Sequence, residues 1–320
     1  YTDNVILNDE DFVQEAGDYI TMPVNAKNFE WLDNSLAPSE KKPYTVLVYL
    51  NGTDLESKYG CASGDLEEMI KSKFNEDNIN VLALVGGTKT WYNEVIKDET
   101  SIYKVTNKGI WKLVDLDKSY ISDERLLSSF INFGVNAFPA DKYGFVFWNH
   151  GGGSIYGYGS DEFNNGKGLS ITQISNAFNN SLMASNKFEF IGFDCCLMAT
   201  VEMAYLLKDL GNYMIASEET EPGYGWNYNF LSDLSNNPQY SGEQIGKVIV
   251  DKFTEFYQDT DDETTLSVVK LDKIEQVSYS LESFMKVANK SISSGNFKKI
   301  SKARKGSKSF GYTGEDSFHY

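Results

Sequence analysis

Alternating strand-type and helix-type segments predict an α/β fold, a three-layer α/β/α sandwich around a mostly parallel central sheet. Three observations carry that expectation. Short apolar, β-branched runs recur along the chain, helix-period segments separate them, and one stretch alternates as a β-hairpin does. The first run, Tyr44-Thr45-Val46-Leu47-Val48-Tyr49-Leu50-Asn51, is apolar at nearly every position, which marks a strand covered on both faces. Similar runs follow at 79–85, 143–148, 189–193, 213–216 and 266–271.

Helix-period segments occupy 65–74, 123–138, 170–184, 199–210, 242–257 and 273–291. Residues 101–116 alternate instead about Asn107-Lys108-Gly109 and read as a β-hairpin inserted in the sequence. Residues 1–43 are acidic and aperiodic up to Pro43, and are expected to form an arm packed on one domain spanning 44–320. No fixed-period repeat and no low-complexity tract interrupts that domain.

Composition excludes several classes. With 20 Tyr and 20 Phe in 320 residues the chain has material for a large aromatic core and is not a disordered polymer. Its 29 Lys and Arg against 46 Asp and Glu give a net charge of −17. Nucleic acid is therefore not an expected partner, since neutralising phosphates takes clustered cations. Cys61, Cys195 and Cys196 cannot build a disulfide framework, so they do not fix the compartment. No apolar run approaches the ~20 residues that a transmembrane helix needs. The chain begins at Tyr1 and not Met, as a fragment or a mature form with its signal peptide removed does.

In parallel sheets, ligands bind beyond the carboxyl ends of the strands. Three such ends carry polar residues: Asn51-Gly52-Thr53-Asp54, Asn149-His150-Gly151-Gly152-Gly153 and Asp194-Cys195-Cys196-Leu197-Met198. The first reads as a turn leading into a helix, not as a catalytic part. His150 finishes the most hydrophobic strand, and the glycines after it let main-chain N–H groups approach a ligand, as an oxyanion site requires. An isolated His-Gly more often merely ends a strand. A thiol between a strand and a helix is expected to have its pKa lowered by the helix dipole, although the commonest fate of a free Cys is an inert buried position. Side chains alternate, so Asp194 and Cys196 share one side while Cys195 points away. Periodicity alone does not say which Cys faces the cleft. A Cys and a His at two strand ends, 46 residues apart, form a plausible nucleophile–base pair.

Other chemistries lack their signatures. There is no Gly-x-Gly-x-x-Gly after a strand and no phosphate-binding loop ending in Lys-Ser or Lys-Thr. Two histidines, His150 and His319, with no spaced Cys pair do not make a zinc site. The run Asp259-Thr260-Asp261-Asp262-Glu263 lacks the EF-hand pattern and reads as a solvated loop.

At these places the chain resembles the clostripain family of cysteine peptidases, relatives of caspases, gingipains and legumains. The similarity is carried in order by Thr45-Val46-Leu47-Val48-Tyr49-Leu50-Asn51-Gly52, Phe147-Trp148-Asn149-His150-Gly151-Gly152-Gly153 and Phe193-Asp194-Cys195-Cys196-Leu197-Met198-Ala199-Thr200-Val201-Glu202. It continues through Ala216-Ser217-Glu218-Glu219-Thr220-Glu221-Pro222-Gly223-Tyr224-Gly225-Trp226 and Leu266-Ser267-Val268-Val269, covering roughly 44–308. The His-Gly piece is weak by itself, whereas Asp-x-Cys-Leu-Met-Ala-x-Val-Glu after a buried strand is specific.

The resemblance implies a caspase-like sheet, Cys196 as nucleophile, His150 as general base, and oxyanion donors from the backbone N–H groups of Gly151 and Cys196. It implies an endopeptidase acting on proteins or peptides with Arg or Lys at P1, secreted or on a bacterial cell surface. Asp194, two residues before the nucleophile, would meet the basic side chain, unless its carboxylate only caps the next helix. Glu218, Glu219 and Glu221 are candidates to share that role. Relatives mature by a cut between the His and Cys segments, where this chain offers two basic residues, Lys167 and Lys187. Lys187 directly precedes a buried strand. Lys167–Gly168 lies in a polar, Gly- and Asn-rich stretch, 158–168, and is the expected self-processing bond. No organic cofactor is implied; calcium is required by some members, and no motif here establishes it. The competing expectations are a non-catalytic caspase-like surface binding protein and a thiol acyltransferase.

Overall fold

The computed structural model describes residues 18–92, 96–97, 99–260, 262 and 264–311. Strand β1 (Ile20–Thr21) lies in the arm. It is followed by β2 (Lys42–Asn51), β3 (Ile79–Gly86), β4 (Ser101–Thr106), β5 (Gly109–Asp115) and β6 (Ala140–Trp148). Next come β7 (Tyr158–Asp161), β8 (Lys167–Leu169), β9 (Phe188–Asp194), β10 (Gly211–Ala216) and β11 (Ser267–Lys270). One sheet of nine strands has the order β1-β5-β4-β3-β2-β6-β9-β10-β11, and β7 pairs with β8 alone. The five central strands, β3 to β10, are mutually parallel. The hairpin expected at 101–116 exists and joins the sheet as an antiparallel extension of β3.

Helices cover both faces: α1 (Thr53–Tyr59), α2 (Cys61–Lys71), α3 (Glu124–Ala137), the single turn α4 (Gly153–Tyr156) and α5 (Ile171–Asn179). They continue with α6 (Val201–Leu207), α7 (Phe230–Asn236), α8 (Gly242–Tyr257), α9 (Ile274–Ser291) and α10 (Phe297–Lys305). Helices α5 and α8 begin with full capping boxes, Ser170 with Gln173 and Ser241 with Gln244. The pleat of β2 divides the core. Leu47 and Tyr49 pack with Phe130 of α3, Phe178 of α5 and Leu207 of α6. Val46, Val48 and Leu50 face Met69 of α2, Leu234 of α7 and Ile249 of α8. Alternate residues of one apolar strand thus fill two cores, and each fully buried Leu or Val contributes about 1.5–3 kcal/mol.

Several local expectations change. The arm is not wholly irregular: β1 pairs with β5, and Leu32 of the 3-10 turn Glu30–Asn34, with Phe29 just before it, buries into the α3 core. Residues 158–168 are not an open loop but the β7–β8 hairpin, with Asp161 opposite Lys167. The helix that the Asn51–Asp54 turn leads into is α1, whereas α4, α7 and α10 fall outside the expected segments. Asp261 and Glu263 of the acidic run, and His319, lie outside the described residues.

Strand order matters for function. The chain adds β3 on one side of β2 and later returns to add β6 on the other. The carboxyl ends of β2 and β6 therefore flank a topological switch point, where side chains from divergent connections meet in a crevice. Register keeps the ends level: Leu50 pairs with Trp148, and Trp148 with Asp194. The polar residues that follow all three strands consequently emerge side by side.

Candidate active site

His150 leaves the end of β6 and turns its Nε2 to the carboxylate of Asp54, 2.8 Å away. Both side chains are partly screened, 21% and 29% exposed. Asp54 belongs to α1, which rises from the end of β2, so the segment read as a mere turn supplies the carboxylate on the histidine. Asn149 ties the same two ends together by donating to the Asn51 carbonyl and to Thr53 Oγ1. The signal in the sequence was the position of Asp54 three residues beyond a central strand; its partner was not readable there. Asp54 is held below the ordinary carboxylate range: burial pushes it up, but hydrogen bonds and charge from His150 and Lys58 outweigh that.

Cys196 and Cys195 separate as alternation requires. Cys195 is 3% exposed, packed in the α3–α5–α6 core, and burial pushes its thiol far up. Cys196 opens to the crevice, where the Glu221 N–H approaches its Sγ at 3.3 Å. It does not sit at a helix N-terminus. Leu197 takes a left-handed φ of 64°, and α6 starts only at Val201, capped by Thr200. The expected depression of the thiol pKa by a helix dipole is thus absent, because four residues intervene. Burial raises the thiol instead, opposed by backbone N–H groups of Glu221, Cys196 and Gly151. Those of Cys196 and Gly151 are the pair expected to receive an oxyanion. No side chain fits at Gly151, since a Cβ there would stand 2.0 Å from the Cys196 carbonyl oxygen.

Asp194 does not cap the following helix; Thr200 does. Its carboxylate turns to the other face, 3% exposed, and accepts from Trp226 N–H at 3.0 Å and Tyr228 Oη at 2.9 Å. Gly225 is required beside it: its φ is +59°, and a Cβ would meet Asp194 Oδ1 at 2.6 Å. Of the three glutamates in the following loop, Glu218 accepts from Ser267 and Glu219 accepts from Thr220 and Gly311. Glu221 lies against Asp194, and its two buried oxygens have no hydrogen bond of good geometry among the described residues. Asp65 of α2, bonded to the Trp148 indole N–H, and Glu68 add their fields. Burial pushes Asp194 up to about 7 and raises Glu221 and Asp65 well above their usual range. The crevice holds about 240 Å³ and runs from His150 and Cys196 down to Asp194 and Glu221.

Lys167 is exposed on β8, and Gly168 packs so tightly that a Cβ would lie 2.2 Å from the Gly159 carbonyl oxygen. Among the described residues no group of three or more His, Cys, Asp or Glu side chains is arranged to hold a metal ion, and no helix is long and apolar enough to cross a membrane.

A thiol, an imidazole and converging backbone donors on a caspase-like α/β/α sheet define the class of cysteine-type hydrolases. Residues 48–313 match the clostripain family, and the chain belongs to that family of cysteine endopeptidases. It is 24% identical to clostripain of Hathewaya histolytica over 245 residues, 65% of this chain and 45% of that one. The chain therefore spans less than half the length of that relative. A secreted C11 cysteine protease from Bacteroides thetaiotaomicron, solved with an irreversible peptide inhibitor, shares the fold at a TM-score of 0.61 and 22% identity, over 74% of this chain and 69% of that one. An inactive zymogen C11 protease from Parabacteroides distasonis does so at 0.56 and 22%, over 76% and 66%.

Proposed function

We propose that this chain cleaves proteins or peptides after Lys or Arg, with Cys196 as nucleophile and His150 as general base and acid. His150 takes the Cys196 proton, and the sulfur attacks the scissile carbonyl carbon. The resulting oxyanion accepts hydrogen bonds from the N–H groups of Gly151 and Cys196. The imidazolium protonates the leaving amine as the C–N bond breaks, leaving a thioester. A water that gives its proton to His150 then attacks the thioester carbon; the C–S bond breaks, the acyl half leaves as a carboxylic acid, and His150 returns the proton to the sulfur. No cofactor enters these steps.

The observation that carries the basic P1 preference is the floor of the crevice, where Asp194 and Glu221 meet and neither is ion-paired to a Lys or Arg among the described residues. Two buried carboxylates without a counter-ion are unfavourable. A P1 ammonium or guanidinium entering from the thiol side would supply the missing charge and ionise them. By likeness to the secreted Bacteroides protease, action outside the cell is proposed as well.

A substrate-library cleavage profile on the wild type and on Cys196→Ala tests this. Cleavage after Lys and Arg that Cys196→Ala abolishes is expected. Asp194→Ala should raise KM for basic substrates and erode the P1 preference while the circular dichroism spectrum stays that of the wild type. Unchanged Lys/Arg selectivity in a folded Asp194→Ala protein would remove Asp194 from this role.

A further inference from the structure

We propose that Asp54 is a positioning residue for His150, so that Asp54, His150 and Cys196 act as a triad and not as an isolated His–Cys dyad. This inference rests on the roles given above to His150 and Cys196. Its basis is the way the contact is built. Thr53 holds a left-handed φ of 45°, unfavourable for a β-branched residue. Such strain persists where the surroundings over-determine it, and it clusters at functional sites. Here Thr88 Oγ1 donates to the Thr53 carbonyl at 2.9 Å, and Asn149 Nδ2 donates to Thr53 Oγ1 at 2.9 Å. A Cβ on Gly52 would stand 2.8 Å from Thr88 Cγ2, so glycine alone permits this approach. The strained turn aims Asp54 Oδ1 at His150 Nε2, and its second anchor is the residue next to His150.

The chemistry follows from the nitrogen chosen. An N–H at Nε2 donating to the carboxylate puts the lone pair of the neutral ring on Nδ1, which assigns Nδ1 to proton exchange with Cys196. The carboxylate also restrains ring rotation and favours the imidazolium that forms when the thiol is deprotonated. A simpler role for Asp54 would be the i,i+4 pair with Lys58, 3.2 Å away. That pair uses Oδ2 and leaves Oδ1 to the imidazole and to the Thr53 hydroxyl, which donates to it at 3.4 Å, and an ion pair at a helix surface contributes little. Among the described residues, the charged or titratable groups facing the site include Asp54 and Lys58 from α1, Asp194, Cys195 and Cys196 from the end of β9, and Glu221 from the pocket wall.

The test compares the wild type with Asp54→Asn, Asp54→Glu and Lys58→Ala. Two quantities are followed over about pH 5–9: kcat and KM on a P1-Lys peptide amide, and the rate at which iodoacetamide alkylates Cys196, located by peptide mass. Asp54→Asn should lower kcat about 10- to 100-fold with KM within about threefold, since orientation and imidazolium stabilisation act in the transition state. Its acid limb should move to lower pH in both measurements, because the imidazolium has lost its carboxylate. Asp54→Glu should restore part of kcat, and Lys58→Ala should remain within about twofold of wild type. An Asp54→Asn protein with wild-type kcat, or with reduced kcat in proportion to lost folded protein and an unmoved acid limb, overturns the proposal. Failure of the wild type to cut after Lys or Arg would sink the specificity reading instead, while alkylation, which needs no substrate, still decides the role of Asp54.

Discussion

Adjacent thiols meet different surroundings because the pleat turns successive side chains to opposite faces: Cys195 enters the core under α3, α5 and α6, and Cys196 opens to the crevice. The two should therefore separate functionally. Cys196→Ala and His150→Ala are each expected to remove nearly all peptidase activity, whereas Cys195→Ala should retain most of it, at a small cost for a buried sulfur replaced by a methyl group. The double His150→Ala/Cys196→Ala protein should be little worse than either single variant, because groups that act as a unit are not additive. Steady-state rates on one basic substrate check all four. A dead Cys195→Ala enzyme with native stability would move the nucleophile. Alternation along the strand was legible in the sequence; the resting state of the Cys196 thiol was not, because it depends on how many residues separate it from α6 and on the wall brought over it by Glu221.

At the scale of elements, the β7–β8 hairpin stands beside His150. Gly159 N–H donates to the His150 carbonyl at 2.9 Å, and Tyr158 Oη donates to the carbonyls of Tyr49 and Trp148. Asp161 anchors the far end by accepting from Ser122 Oγ and Phe163 N–H. Composition alone suggests a polar surface loop, yet tight glycine contacts and a buried tyrosine order it. Proteolysis requires an extended, accessible backbone, so Lys167–Gly168 must leave its pairing with β7 before it can be cut. We expect the wild type to convert slowly to a two-chain form whose new N-terminus reads Gly168-Leu169-Ser170, and Cys196→Ala to remain one chain. Intact mass and terminal sequencing decide. The same nick in Cys196→Ala would assign the cut to another protease, and normal activation of Lys167→Ala would place the control elsewhere.

For the molecule as a whole, the buried acids couple stability to pH. Burial raises Asp194 to about 7 and lifts Glu68, Glu221 and Asp65 above their ordinary values. A carboxyl whose folded pKa exceeds its unfolded value, about 3.9 for Asp, binds more protons in the folded state between the two. Its favourable contribution is present below the unfolded pKa and is lost as pH rises through the folded one. The substrate-free protein should accordingly lose on the order of a few kcal/mol between about pH 4 and 7, measured by urea unfolding. Asp194→Asn should flatten that slope. The net charge of −17 acts in the same direction, but surface repulsion is screened by salt and a buried cluster is not. A slope that vanishes in about 0.5 M salt and is indifferent to Asp194→Asn would trace it to the surface.

The sequence by itself determined the three layers, the parallel strands and the two strand ends that carry His150 and Cys196. Those features follow from hydrophobic period and from short motifs, both local properties of the chain. Only the tertiary structure decided that Asp54 meets His150 across 96 positions, that Glu221 and not Glu218 or Glu219 joins Asp194, and that residues 158–168 form a hairpin against the site. It also decided that Cys196 stands clear of the helix that follows it. The physical reason is the reversal of strand order between β2 and β6: it sets together the ends of segments far apart in the chain, and no local pattern records which of them become neighbours.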